Sequence, residues 1–394
     1  MSAPQLKRRL GFGLLTLYGV GVMIGAGIYV LVGEVAGQSG GLAPFAFLIA
    51  GLLALPTALS YSELSTRIPE SAGEAAYLRT ATGSLSAASA VGLAVAAVGV
   101  ISAAAILRGG VGYLTAIVDL PEDLLIAGVG TALGALAILG VVESLAAAAI
   151  LTFIELVGLA IVVFAGFSGP IVVQAPASAA GMEGLAAAGL LAFFAFIGFE
   201  DMVNMAEETR DPGRNMPRAI MAALVVTTLI YILVAWAAVR TVDAGELSES
   251  TRPLALVFER GTGNSSGFLA MIAAAAALNG VLAQMVMSAR VLFGLGRSVR
   301  VFSVFHESHP RFGTPVRATL LGVAIVITLA LSAPLADLAH LTSMILLAVF
   351  VAINLALIVI KRQRPLPDGF KVPVAVPIAG AILSFIALLW GVFG

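Results

Sequence analysis

Long stretches free of Asp, Glu, Lys and Arg dominate the chain. They cover residues 10–33, 35–62, 80–107, 124–142, 144–182 (interrupted only by Glu155), 184–209 (interrupted by Glu200, Asp201, Glu207 and Glu208), 219–239, 261–289, 318–336, 338–360 and 372–394. A hydrocarbon layer about 30 Å thick needs roughly 20 apolar residues as helix. The pattern therefore predicts about eleven transmembrane helices in an all-α integral membrane protein.

Composition agrees. Of 394 residues, 60% are hydrophobic and 11% charged, against about 25% charged in an ordinary soluble domain. The mean hydropathy is +1.06. A soluble enzyme, a nucleic-acid binder and a disordered chain are excluded on these grounds. The formal net charge of −1 gives no reason to expect a polyanionic partner. With no cysteine there is no thiol chemistry. The three histidines, His306, His309 and His340, form no pair at ligand spacing on an apolar helix, so neither a metal nor an enzymatic cofactor is expected. The first nine residues are basic, but the following run is too long and too broken by glycine for a cleaved signal. It reads as a retained first span.

Basic residues in the loops set an orientation. With the N-terminus on the cytoplasmic side and the spans alternating, only Arg108, Arg240, Arg252 and Arg260 of the 21 basic residues fall outside. That bias places the protein in a cytoplasmic-type membrane. The odd number of spans then puts the C-terminus on the outer side.

Two spans are irregular. The first reads Gly19-Val20-Gly21-Val22-Met23-Ile24-Gly25-Ala26-Gly27-Ile28-Tyr29. Glycine weakens a helix by about 1 kcal/mol relative to alanine, so such a cluster can unwind and leave backbone groups free. Bare backbone at that depth is tolerated only beside a cavity; the alternative is close packing of small residues between helices. The sixth span runs Phe193-Phe194-Ala195-Phe196-Ile197-Gly198-Phe199-Glu200-Asp201, and Gly198 predicts a second break followed by a short half-helix. Spans one and six are corresponding members of two five-helix halves. Paired interruptions of that kind point to a transporter site. The two halves would be inverted repeats over 10–168 and 184–361, with 372–394 as an extra eleventh helix of one transmembrane domain. Half-helix N-termini favour an anionic group and freed carbonyls a cation. A carboxylate and an ammonium on one carbon, an α-amino acid, suits both poles.

At these residues the chain resembles the amino acid–polyamine–organocation transporters, near their cationic and neutral amino acid branch. The resemblance covers Leu10 to about Arg317. It rests on Gly25-Ala26-Gly27-Ile28-Tyr29, on the loop from Ile68 to Tyr77, on Phe193 to Pro217 with its Ala206-Glu207-Glu208 and Asp211-Pro212-Gly213-Arg214, and on Ser288-Ala289-Arg290 with Arg297. It implies the LeuT-like five-plus-five fold and alternating access. It also implies that the backbone of Gly25, Ala26 and Gly27 takes the substrate carboxylate. Carbonyls near Met23, Ile24, Phe196 and Ile197 would take the amino group, and Phe196 or Phe199 would cover the side chain or act as a gate. Many members have twelve helices, which leaves dimerisation through the last helices, and the oligomeric state, open.

Several lone acids complete the reading. Glu155 lies among apolar residues in the fifth span. A carboxylate there costs several kcal/mol, so it should face the bundle interior, a partner or a proton. It is expected to carry a coupling proton or to ligate sodium with helix-one backbone and Asn279 or Gln284; a static interhelical bond is the competing reading. Glu200 would cap the second break, sense protonation or pair with a cationic substrate. Asp201, Glu207, Glu208, Arg210, Asp211 and Arg214 are expected in a cytoplasmic salt-bridged cluster, and Glu63, Glu70, Glu74 and Glu143 at solvated loop ends. The phenylalanines around Gly198 favour a neutral or apolar amino acid imported by proton symport. Exchange, a cationic substrate and a substrate sensor on the same fold remain alternatives.

Overall fold

A computed structural model describes residues 10–69, 73–115, 117–140, 145–174, 181–363 and 369–393. Glu70 and Glu143 lie outside the described residues. Every apolar run carries helix. The first is α1 (Phe12–Ala26) continued by α2 (Ile28–Ser39), and the next four are α3 (Ala43–Arg67), α5 (Leu85–Leu114), α6 (Glu122–Leu139) and α7 (Leu145–Ser168). The sixth begins as α8 (Gly181–Phe193) and passes into 3₁₀ structure. It is followed by α9 (Pro212–Thr241), α12 (Gly267–Ser298), α13 (Val316–Ser332), α14 (Leu335–Gln363) and α15 (Ala375–Phe393). Three short helices between spans were not predicted: α4 (Gly73–Thr82), α10 (Ala244–Glu249) and α11 (Pro253–Thr262). They are too short or too polar to register as apolar runs.

Local sequence sets several boundaries. Proline stands in the first turn of α3, α9 and α11, where its missing N–H costs no helical bond. Gly140 ends α6 in the left-handed region at φ 73°. Large apolar side chains stay exposed along the helices, including Phe153 (64%), Phe164 (74%) and Leu229 (56%). A surface of that kind needs lipid against it.

The core lies where α1, α3, α5, α7, α9 and α12 meet around the interrupted segments. The glycines of the first span divide into two roles. A Cβ on Gly19 would strike the Met202 sulfur, and one on Gly21 the Thr152 side chain, so both are packing glycines. Helix α1 therefore continues through Gly25 to Ala26, and the unwinding expected over Gly25–Gly27 is confined to Gly27, at φ −127° and ψ −54°. The second break is wider. Phe194–Phe196 forms a 3₁₀ turn, Ile197 is extended, Gly198 has φ 123°, and Asp201–Glu208 continues as 3₁₀ helix instead of the expected half-helix. Its end is fastened to the start of α1: the Leu10 N–H donates to the Glu208 carbonyl (3.0 Å), and the Arg210 N–H to that of Leu10 (2.8 Å).

Two acids expected in solvent are buried. Glu63 is fully inaccessible. It receives Arg67 Nη2 at 2.6 Å, Lys361 Nζ at 2.6 Å and the Val372 backbone N–H at 2.8 Å. Glu74 is 5% exposed and accepts the Tyr61 hydroxyl at 3.1 Å. The sequence pattern placed both at span ends but could not show which helices fold back over them.

Candidate functional site

The two breaks meet backbone to backbone. A Cβ on Gly27 would fall on Cα and Cβ of Ala195 in the sixth span. A Cβ on Gly198 would stand 2.6 Å from Val22 Cγ1 and 3.3 Å from the Met23 nitrogen. Helix α12 closes the third side, since a Cβ on Gly280 would lie 3.2 Å from the Gly25 carbonyl oxygen, and one on Gly25 3.3 Å from that of Ala276. Met23, Ile24, Gly25, Gly27, Phe196, Ile197, Gly198 and Phe199 are all buried within this junction.

One side chain spans both breaks, and the sequence reading missed it. The Tyr231 hydroxyl, from the middle of α9, lies 2.8 Å from the Met23 carbonyl oxygen and 2.9 Å from that of Ala195. The ring is held edge-on by Phe47 (centroids 5.5 Å apart) and Phe196 (5.2 Å). The available signal was a lone tyrosine in an otherwise apolar span. Ile24 contributes its carbonyl to the Gly27 N–H at 3.4 Å, a long bond that marks the end of α1. The Gly27 carbonyl in turn accepts from Val30 (3.2 Å) and Leu31 (2.9 Å) as α2 begins. Tyr29 and Tyr113 extend the network: Tyr113 donates to the Tyr29 carbonyl (2.7 Å), and the Leu254 N–H donates to the Tyr113 oxygen (3.4 Å).

Phe196 and Phe199 sit in separate aromatic groups. Phe196 belongs with Tyr231. Phe199 packs on Tyr61 (5.9 Å) and Phe350 (5.3 Å), beside the Tyr77–Tyr61 pair above Glu74. This second group lies on the side toward α4.

The acids are placed as follows. Glu155, on α7, is 2% exposed. One carboxylate oxygen lies 3.9 Å from the point a Gly25 Cβ would occupy, and its carbonyl accepts the Tyr29 hydroxyl at 2.9 Å. Glu155 therefore faces the end of α1. Glu200 accepts the Gly198 N–H at 2.9 Å and so caps the second break. Asp201 is buried and receives the Gln284 amide at 3.3 Å. It belongs to the interior, not to a cytoplasmic salt-bridged cluster, and among the described residues none of the ion pairs joins Asp201, Glu208, Arg210, Asp211 or Arg214. Gln284 thus donates to Asp201, and Asn279 is half-buried on α12. Beyond α2 lies a cavity of about 260 Å³ whose walls include Glu34, Arg108, Glu122 and Glu249.

An all-helical membrane bundle with its first and sixth spans interrupted at one junction is the architecture of a secondary transporter. The chain belongs to the amino acid permease family, whose model matches residues 10–394. It is similar to the branched-chain amino acid permease BcaP of Bacillus subtilis, with 30% identity covering 98% of this chain and 88% of that one. The methylthioribose transporter of Bacillus subtilis is also 30% identical, over 99% of this chain and 90% of its own. Cationic amino acid transporter 1 of Arabidopsis thaliana is 27% identical over 91% of this chain and 63% of its own. The family and these relatives are transporters, not enzymes.

Proposed function

We propose that the chain is a secondary active importer of a neutral, apolar amino acid, working by alternating access in the cytoplasmic membrane with its N-terminus inside. The observation that carries this reading is the junction itself, where carbonyls from the two broken spans converge on one hydroxyl. An ammonium suits that position, because freed carbonyls are cation acceptors. The substrate carboxylate would meet the backbone of Gly25, Ala26 and Gly27, at the start of the first turn of α2. Helix geometry leaves the leading N–H groups without an i−4 partner, and the dipole favours an anion there. The Gly25–Gly27 backbone leads directly into that turn.

The substrate side chain would meet Phe196 and its aromatic neighbours, which favours an apolar group. BcaP, by its name, carries branched-chain amino acids, in line with this. A cationic amino acid is the second reading, favoured by buried Glu200 and Asp201 beyond the second break and by the relatives named as cationic amino acid transporters. Glu155 would carry the coupling proton, because it is the acid that faces the end of α1. Protonation on one side and release on the other would couple the proton gradient to the junction's rearrangement.

Reconstituted liposomes test this. With an inside-alkaline gradient and no sodium, labelled neutral amino acids should accumulate, and Glu155→Gln should abolish that accumulation. Uptake only into vesicles preloaded with amino acid would establish exchange instead. Intact pH-driven uptake by Glu155→Gln would remove Glu155 from the coupling step.

A further inference from the structure

We infer that the Tyr231 hydroxyl is a resident stand-in for the substrate's ammonium, and that arriving substrate displaces it. The inference rests on the amino acid reading above and adds a residue and a selection rule to it. Tyr231 belongs to α9, outside both broken spans, yet its oxygen reaches one carbonyl from each. A hydroxyl has one proton to donate. At 2.8 and 2.9 Å it lies within bonding reach of both carbonyls, but it can satisfy only one fully at a time. An ammonium carries three N–H donors and can satisfy both at once. Met23, Ala195 and Tyr231 are each fully buried, so bulk water does not reach the pair of carbonyls. Phe47 and Phe196 both pack edge-on against the ring, which helps to fix the hydroxyl at the junction.

Two consequences follow. Tyr231 holds the two breaks together, and a bound ammonium gains the difference between one donor and several. The ligand must also present at least two N–H groups to the pair of carbonyls. A primary ammonium and an N-methylated one meet that need; an N,N-dimethylated amine, with one N–H, offers no more than the tyrosine does.

The test compares wild type with Tyr231→Phe in detergent, using whichever of the twenty protein amino acids most raises the wild type's unfolding temperature. In the variant without substrate the two carbonyls lose their donor, which is costly for buried acceptors. Its unfolding temperature without ligand should therefore fall. Its affinity for the amino acid should rise by about 3- to 10-fold, the scale of one buried hydrogen bond. A purely structural tyrosine would lower the unfolding temperature and leave affinity unchanged or weaker, and that result would overturn the inference. In wild type, the N-methyl derivative should still bind and the N,N-dimethyl derivative should not; equal binding of the two would also overturn it. If Tyr231→Phe does not fold, 3-fluorotyrosine at position 231 replaces it. Its fluorine resonance should move when the amino acid is added and stay fixed when the matching deaminated acid is added; a fixed resonance in both cases counts against displacement. Should no amino acid shift the wild type at all, the amino acid reading falls first and this inference falls with it.

Discussion

Glu74 shows what a single side chain can do to stability here. It sits on α4, between two spans, with its carboxyl buried against Tyr61. Burial holds that carboxyl above the usual carboxylate range, and hydrogen bonds from backbone and from Tyr61 offset the shift only in part. The folded chain therefore keeps this proton to a higher pH than the unfolded chain does. As pH rises from the ordinary carboxylate value through the raised one, the unfolded state ionises first and stability falls. Glu74→Gln removes the ionisation while leaving an acceptor for Tyr61. Thermal unfolding should show the variant more stable than wild type above the raised value. The gain should fade as pH drops toward the ordinary carboxylate range. A gain that is the same at every pH would mean that packing, not ionisation, is responsible.

The two breaks differ as elements, and the difference has a cause in sequence. Gly27 is an isolated interruption between two helices, and its lack of a side chain admits the Ala195 backbone. The sixth span is unwound over several residues because Gly198 takes φ 123° and leads into 3₁₀ structure. Gly27→Ala should therefore be more severe than Gly25→Ala. The first puts a methyl group into the partner backbone, whereas the second meets the Ala276 carbonyl at 3.3 Å and needs a shift of only tenths of an ångström. If the junction is the transport site, Gly27→Ala should cut uptake roughly 100-fold, the usual cost of displacing groups by about 1 Å. Liposome uptake at matched protein content checks this; an alanine at Gly27 with normal uptake would place the site elsewhere. The position of both interruptions was legible, because glycine clusters inside apolar runs stand out. Their extent was not. Gly19 and Gly21 have the same local sequence character as Gly27, and only the neighbours Met202 and Thr152 show that they serve packing. Tyr231 was illegible for the same reason, since its partners lie 208 and 36 residues away.

At the scale of the whole molecule, the apolar runs located the long helices, but the contacts that hold late helices to early ones are polar and were misread. Glu63 joins three parts of the chain: Arg67 on its own helix α3, Lys361 at the end of α14, and the backbone of Val372 just before α15. A turn or two along, Asn354 of α14 accepts from Ser60 (2.7 Å), donates to Thr57 (2.9 Å) and packs on Gly380 of α15. Helix α15 is thus fixed to α3 and α14 at two levels, one ionic and one amide. Loss of one partner from a buried ion pair costs up to about 3–5 kcal/mol where the remaining charge is stranded, and less where, as for Glu63 beside Arg67, another partner remains; replacing both partners by neutral groups costs less still. Lys361→Met should accordingly lower the unfolding temperature, though less than stranding the carboxylate would, since Glu63 keeps Arg67 and the Val372 N–H. Glu63→Gln combined with Lys361→Met should recover part of the loss, although Arg67 then loses its bond to Glu63 and recovery stays incomplete. Because Glu63 and Lys361 touch neither break, substrate affinity measured below the unfolding transition should not change in either variant. A shift in affinity would instead mean that α14 and α15 move with the junction, and that the ion pair belongs to the transport cycle as well as to the fold.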